Sequence, residues 1–207
     1  MISMQQSRDL IAHLSAIEST HVIYPDDPAR AVAQALLDAA GRAFPLLRSV
    51  ADQIAVRTAR TSVTIPAPGG CFVVLSPMAV KEPKDLATTG AHEHQHAHRE
   101  NGVGATQTVV DYLEPELRAQ REAESYSVGM AVDWFLTGVI PTVDDAILSL
   151  KGETYMLPAS ELELARGILE SARASMESGC CPPIATAVNV LAWLRAKHPE
   201  LILATVA

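Results

Sequence analysis

The chain has 207 residues, of which 48% are hydrophobic, 19% are charged and 4% are aromatic. Chains of this length and composition bury a sizeable core, so we expect a globular protein in which small side chains fill the space between helices. The net charge of −8 argues against nucleic acid as a partner, because such binding needs clustered lysine and arginine. A membrane partner is not expected either, since no run approaches the roughly 20 apolar residues that cross a bilayer.

The N-terminal residues and the cysteines bear on the cellular compartment. Arg8 and Asp9 interrupt the first segment before an apolar stretch of signal-peptide length forms. Cys71, Cys180 and Cys181 are an odd number with one adjacent pair, which argues against a disulfide framework. Both observations predict a cytoplasmic protein. The adjacent cysteines are expected to be buried as small hydrophobic side chains.

Helices are predicted first along the chain. Residues 5–17 repeat apolar side chains at helical spacing, which predicts an amphipathic helix. An Asp-Asp-Pro sequence starts a second helix over 29–43, and a proline opens a third over 45–54. A β-hairpin follows, because residues 56–65 mix β-branched and polar side chains, Pro-Ala-Pro-Gly-Gly supplies turn chemistry, and residues 71–76 form a short apolar run.

A complete H-E-x-x-H motif lies within a histidine tract. It consists of His92, Glu93 and His96. On an α-helix, residues four apart stand one above the other, so both imidazoles can bind one metal ion. The carboxylate of Glu93 then lies within reach of a water molecule on that ion, where it can act as a general base.

The same tract allows a β-strand interpretation. On a strand, four alternating histidines would share one face as a chelating comb: His92, His94, His96 and His98. The flanking residues favour a helix, because none between positions 91 and 100 is β-branched. Thr88 or Thr89 is the expected N-cap, and Asn-Gly at 101–102 is the expected stop. His94 and His98 then lie about 200° from the motif, as solvent-facing or supporting residues.

A second long helix is predicted downstream, over residues 115–137. A proline suits its first position and a glycine can cap its end. Glu122 and Tyr126 share one face of this helix, whereas Glu124 points about 200° away from Glu122. Beyond it, helices are predicted over 144–150, 160–178 and 184–197, the middle one with a capping box formed by Ser160 and Glu163.

The two motif-bearing helices resemble those of the gluzincins, thermolysin-like metallopeptidases with H-E-x-x-H on one helix and a glutamate ligand on the next. The resemblance covers about 65 residues. It gives Glu122 the position of the glutamate ligand and Ser125 that of a small residue. Tyr126 stands where the family has an aspartate that supports a ligating histidine, so that support is expected from Asp111 or from a backbone carbonyl.

The resemblance implies a zinc metallopeptidase. His92, His96 and Glu122 would hold one Zn²⁺, Glu93 would act as the general base on a metal-activated water, and the substrate would be a peptide or protein. Apart from the resemblance, Tyr112, Tyr126 and Tyr155 are each candidates to stabilise the oxyanion, and Tyr126 shares a helical face with Glu122.

The expected fold class is α+β, mainly helical, with a small sheet beside the metal helix. The length of the chain and the lack of a convincing domain boundary predict a single domain over residues 1–207, zincin-like at its metal site. Its parts would be N-terminal helices in 1–55, a metal-site core in 56–138 and a helical extension in 139–207. In zincins an edge strand beside the active-site helix pairs with the substrate, and residues 71–76 are assigned that role here, although a plain core strand is the simpler interpretation.

Two other classes of function are open. The first is a structural or assembly protein that keeps the fold with a structural zinc, in a homo-oligomer or a larger assembly. Small gluzincin-like proteins of this size also resemble bacteriophage products, so a virion component is one form of this alternative. The second is a histidine-rich protein that stores or delivers metal through the whole tract and holds more than one ion.

Overall fold

Helices dominate the structure, with one small sheet, as predicted for a mainly helical α+β fold. The computed structural model describes residues 1–31, 35, 62–67, 69–104, 107–108, 111, 113–151 and 157–206. Within these ranges the elements with defined bounds are α1 (Met4–Glu18), β1 (Thr20–Ile23), β2 (Val63–Ala67), β3 (Gly70–Val74), α2 (Pro83–Val103), α3 (Pro115–Thr137), α4 (Val143–Lys151), α5 (Ala159–Glu177), α6 (Ala185–Lys197) and a 3₁₀ turn (Pro199–Leu201). The predicted helices over 29–43 and 45–54 fall almost entirely outside the described residues.

The sheet has β3 at its centre. Its strand order is β1-β3-β2, with β1 parallel and β2 antiparallel to β3. The β2–β3 hairpin confirms the prediction, although Pro66 continues β2 opposite Cys71 instead of lying in the turn. The core-strand interpretation of residues 71–76 is confirmed, and the alternative of a substrate-binding edge strand is wrong, because β3 is hydrogen-bonded on both sides. Strand β1 was not predicted.

The metal-motif helix α2 begins earlier than expected. Pro83 occupies its first turn after the N-cap Glu82, so neither Thr88 nor Thr89 is the cap. The hydroxyl of Thr88 instead donates to the carbonyl oxygens of Lys84 and Asp85 within the helix. Proline lacks an N–H and has a helical φ, which makes it a strong start signal. The helix also ends two residues later than expected, before Gly104.

Helix α3 packs along α2 and has the predicted bounds. Pro115 opens it, and Gly138 closes it in the left-handed conformation at φ 74°. Small side chains let two helices approach closely, and the main core contains fully buried alanines from both: Ala87, Ala91, Ala119 and Ala123. Within the described residues, no helix is both long and apolar enough to span a membrane.

The C-terminal helices follow the predicted order: α5 packs on α3, and α6 contacts α1, α2 and α3. The capping box of α5 is wrong, because its N-cap is Pro158 and Ser160 donates to Glu161 instead. The cysteine pair follows this helix. Cys180 is exposed and Cys181 only partly buried, so the expectation of two buried thiols is also incorrect.

Candidate metal centre

Three side chains from α2 and α3 converge on one point. His92 and His96 lie one turn apart on α2, with their Nε2 atoms 3.3 Å from each other. Glu122 reaches them from α3, and its Oε2 lies 3.8 Å from His92 Nε2 and 3.5 Å from His96 Nε2. Among the described residues this trio is the one group of ligand-type side chains close enough to hold a metal ion.

The spacing of these atoms fits a small tetrahedral cation. Zinc binds imidazole nitrogen and carboxylate oxygen at about 2.0–2.1 Å, so two ligands at a tetrahedral angle lie about 3.3–3.4 Å apart. The three observed separations, 3.3, 3.5 and 3.8 Å, are close to that value. Two nitrogens and one oxygen also form a donor set that zinc accepts. The residues present therefore fit a zinc ion without rearrangement of the helices.

Burial and charge make the trio electrostatically unusual. Glu122 is 1% exposed, so its carboxylate faces the two imidazoles and not solvent. Burial and the neighbouring His96 together lower the pKa of His92 to about 3, although Glu122 raises it in part. Burial also opposes charge on His96, but Glu122, Glu93 and Glu100 outweigh it and raise its pKa to about 9. A divalent cation would neutralise this concentration of buried ligand groups.

Glu93 is buried beside the trio and is held by a strand. Burial raises the pKa of its carboxyl to about 7, although His96 and a hydrogen bond from Thr64 lower it in part. The Thr64 hydroxyl on β2 lies 2.8 Å from Glu93 Oε2 and 2.9 Å from the Glu93 carbonyl oxygen. A carboxyl with a pKa near neutrality can both take and return a proton, which is the property of a general base that later acts as an acid.

An open groove leads to the trio. Its volume is about 520 Å³, and both His92 and Glu93 line it. Side chains from α2, α3, α4 and the segment after β3 form its walls, including Met78, Thr88, Tyr126, Gly129, Met130, Asp133 and Ala146. A ligand in this groove would reach the metal position and the Glu93 carboxylate together.

Tyr126 and Ser125 surround His92 on the α3 side. The Tyr126 ring packs edge-to-face on His92, with ring centroids 4.9 Å apart, and also lines the groove. The backbone of Ser125 hydrogen-bonds to His92. Asp111 forms an ion pair with Arg121 instead. Of the two predicted supports for a ligating histidine, the structure therefore shows the backbone one.

The other histidines of the tract do not join the trio. His94 is fully buried, which corrects the expectation of a solvent-facing or supporting residue. Its Nδ1 bonds to the Gly90 carbonyl, and its Nε2 lies 3.0 Å from the hydroxyls of both Ser15 and Thr20. His98 pairs with Glu18 at 3.2 Å.

Several predicted positions have simple outcomes. Glu124 points away from the trio, as expected, and pairs with Arg99. Tyr112 and Tyr155, the other two candidates for oxyanion stabilisation, lie outside the described residues. Thr64 was not identified from the sequence, because nothing local to β2 indicates which helical side chain its hydroxyl will meet.

No protein-family model, curated protein or solved structure matches this chain. The relation to the gluzincins therefore stays a prediction that rests on the motif residues. The structure adds a site at which His92, His96 and Glu122 could hold a metal ion.

Proposed function

We propose that the protein is a zinc-dependent hydrolase that cleaves peptide bonds. The observation that carries this proposal is the meeting of three elements at one place. Two histidines and one buried glutamate converge at zinc-ligand spacing, a fourth side chain with acid–base character lies beside them, and an open groove leads to both. A binding site alone would not need the acid–base group or the groove.

The chain's own residues supply the steps of hydrolysis. When bound, zinc acidifies a water molecule and polarises the carbonyl of the substrate. Glu93 takes a proton from the water while the water oxygen bonds to the carbonyl carbon of the substrate. Glu93 then delivers that proton to the amide nitrogen as the C–N bond breaks, so its carboxylate is regenerated. Tyr126 lines the groove beside His92, where its hydroxyl can donate to the developing oxyanion.

The arrangement favours a catalytic zinc over a structural one. Structural zinc sites are closed by four protein ligands, whereas catalytic sites use three and leave one position open. The described residues supply three ligands, and the groove lies on the side of His92 and Glu93. Ser76, Met78 and Ala79, in the segment after β3, form part of the groove wall.

The histidine-comb alternative has less support. It requires His94 and His98 to bind metal with the other two histidines. Both nitrogens of His94 already have partners in the Gly90 carbonyl and in hydroxyls of α1 and β1, and His98 pairs with Glu18 on another face of α2. We therefore expect one zinc ion per chain.

Zinc content tests the metal part of the proposal. After dialysis against a weak chelator, the wild-type protein should retain one zinc per chain, and Glu122→Ala should lose most of it. Glu124→Ala is the matched control, because it removes a carboxylate two residues away that pairs with Arg99 and not with the trio. Equal zinc in wild type and Glu122→Ala, or several loosely held ions in both, would refute the site.

Turnover tests the catalytic part. Zinc-loaded wild-type protein should cleave an unfolded polypeptide such as reduced, carboxymethylated casein. Glu93→Gln should keep its zinc but hydrolyse about 10²–10⁴-fold more slowly, the usual contribution of a general base. Cleavage by Glu93→Gln at the wild-type rate would remove the mechanism even if zinc is bound.

A further inference from the structure

Strand β2 packs beside the metal helix, and the side chain of its Thr64 hydrogen-bonds to Glu93. Thr64 lies near the start of β2. It pairs with β3, as do its neighbours Val63 and Ile65. Its Oγ1 lies 2.8 Å from Glu93 Oε2, within the normal range for a hydroxyl donating to a carboxylate. Glu93 is 4% exposed, and Thr64 is partly buried.

A buried glutamate on a helix needs such a partner to adopt one position. Its side chain has several rotatable bonds, and its terminal torsion is broad, so packing alone fixes the carboxylate plane poorly. A hydrogen bond to Oε2 orients that plane and leaves Oε1 as the oxygen that takes a proton. Because pairing with β3 holds Thr64 in place, the orientation of the carboxylate is tied to the sheet.

We infer that Thr64 is a positioning residue for Glu93, which aims the carboxylate at the metal site from strand β2. This inference rests on the function proposed above and adds the residue that makes the general base effective. Thr64 itself does not contact the trio of ligands in any hydrogen bond, so its effect on the reaction passes through Glu93.

A simpler structural role has to be separated from this one. The Thr64 hydroxyl also lies 2.9 Å from the Glu93 carbonyl oxygen, so it could serve only to fasten β2 to α2. A fastening role depends on the backbone carbonyl and persists when the Glu93 side chain is changed. A positioning role depends on the carboxylate and disappears with it. The two roles therefore differ in a double-mutant cycle with Glu93→Gln.

The test uses the zinc-loaded full chain and acetohydroxamate as the probe. A hydroxamic acid binds metal through two oxygens and loses a proton on binding, which a correctly placed carboxylate accepts. Affinity is measured by calorimetry for wild type, Thr64→Ser and Thr64→Val, each alone and combined with Glu93→Gln. Valine keeps the shape of threonine and suits a strand, so the fold should tolerate it.

The expected result has three parts. Thr64→Val should bind the probe about tenfold more weakly, the usual effect of losing one hydrogen bond to a charged group. Thr64→Ser should bind within about twofold of wild type, because it keeps the hydroxyl. In the Glu93→Gln background, Thr64→Val should cause no further loss, since the carboxylate that it positions is gone.

Thr186→Val is the matched control. Thr186 on α6 is fully buried, and its hydroxyl donates to Gln95 of α2 at 2.8 Å, so the variant removes the same hydroxyl group and a hydrogen bond to another residue of α2. This variant should lose stability but bind acetohydroxamate like wild type.

Three outcomes would overturn the inference. Equal probe affinity in zinc-loaded wild type and Thr64→Val would overturn the role of Thr64 while leaving the proposed hydrolase intact. An equal loss with and without Glu93→Gln would show that Thr64 only fastens β2 to α2. A wild-type protein that holds no zinc would overturn the proposed function, and the role of Thr64 with it.

Discussion

Side chains on helix α2 divide sharply by the face on which they lie. His92 and His96 turn towards Glu122 on α3, whereas His94, between them in sequence, turns towards α1 and β1. Two residues of displacement on a helix are a rotation of about 200°, which moves His94 from the side of the trio to the side of α1 and β1. Four alternating histidines therefore perform at least two different tasks.

His94 is predicted to stabilise the fold and not to bind the metal. Its ring is fully buried and joins α2 to the hydroxyls of Ser15 and Thr20. His94→Leu would leave those two hydroxyls without this partner, so the free energy of unfolding should fall by about 2–4 kcal/mol while zinc content stays at one per chain. Chemical denaturation with zinc analysis measures both quantities.

His21→Ala provides the comparison for His94→Leu. His21 is an exposed histidine on β1, and its removal should change the free energy of unfolding by less than about 0.5 kcal/mol. Loss of zinc from His94→Leu without loss of stability would show that the assignment of His94 is wrong.

Two glycines inside helices, Gly90 and Gly129, differ in whether the packing of neighbouring elements requires them. A methyl group on Gly90 would lie 2.7 Å from two carbons of Ile11, so α1 and α2 need the missing side chain in order to pack. A methyl group on Gly129 would meet only the Thr88 carbonyl oxygen, at 3.8 Å. Packing therefore does not require glycine at position 129, and a helix interior disfavours it. That glycine instead lines the groove.

Gly129→Ala is expected to stabilise helix α3 and to weaken substrate binding in the groove. Alanine in a helix interior is more stable than glycine by up to about 1 kcal/mol, and the space at this position accepts its methyl group. The midpoint of thermal unfolding should rise, while the KM for an unfolded polypeptide substrate should increase because the groove narrows beside the metal site. Unfolding scans and steady-state kinetics measure the two effects.

Gly167→Ala separates these effects. Gly167 lies inside α5, has open space around it and does not line the groove to the metal site. Alanine there should raise the unfolding midpoint to a similar extent but leave the KM unchanged. If both glycine variants leave the KM unchanged, the groove near Gly129 does not bind the substrate.

At the scale of the whole molecule, the metal trio lies where separate parts of the fold meet. Helix α2 packs against α1 and the sheet as well as against α3, and α3 in turn contacts α5 and α6. The trio joins α2 to α3 by three side chains, so a bound ion would link the N-terminal and C-terminal parts through their central pair of helices. Metal binding should therefore contribute to global stability.

Chelation is expected to lower the stability of the whole fold. At a free zinc concentration 1,000 times the dissociation constant, binding stabilises the native state by about 4.1 kcal/mol. Removing zinc with EDTA should lower the unfolding midpoint of wild type and of Glu124→Ala by several degrees. Glu122→Ala should respond little, because its site is already impaired. An equal response in all three proteins would mean that zinc binds elsewhere.

Local signals account for the parts of the fold that the sequence predicted well. Pro115 and Gly138 delimit α3 as expected, because proline and glycine act on the backbone next to them. Helix α1 exceeds the predicted range 5–17 by one residue at each end, and Ser3 and Gln6 form a capping box at its start that was not predicted. Errors arose where two local signals compete, as at Thr88 and Pro83 for the start of α2, and at Ser160 and Pro158 for the start of α5.

The sequence by itself determined that His92 and His96 share a helical face with Glu93 beside them, because helical rotation is the same in every helix. Only the tertiary structure decided that Glu122 lies against both histidines, that β3 is the central strand and that Thr64 contacts Glu93. Those outcomes depend on how segments distant in sequence pack together. The physical reason is range: capping and periodicity act over one or two turns, whereas a site depends on contacts that form only when the core is buried.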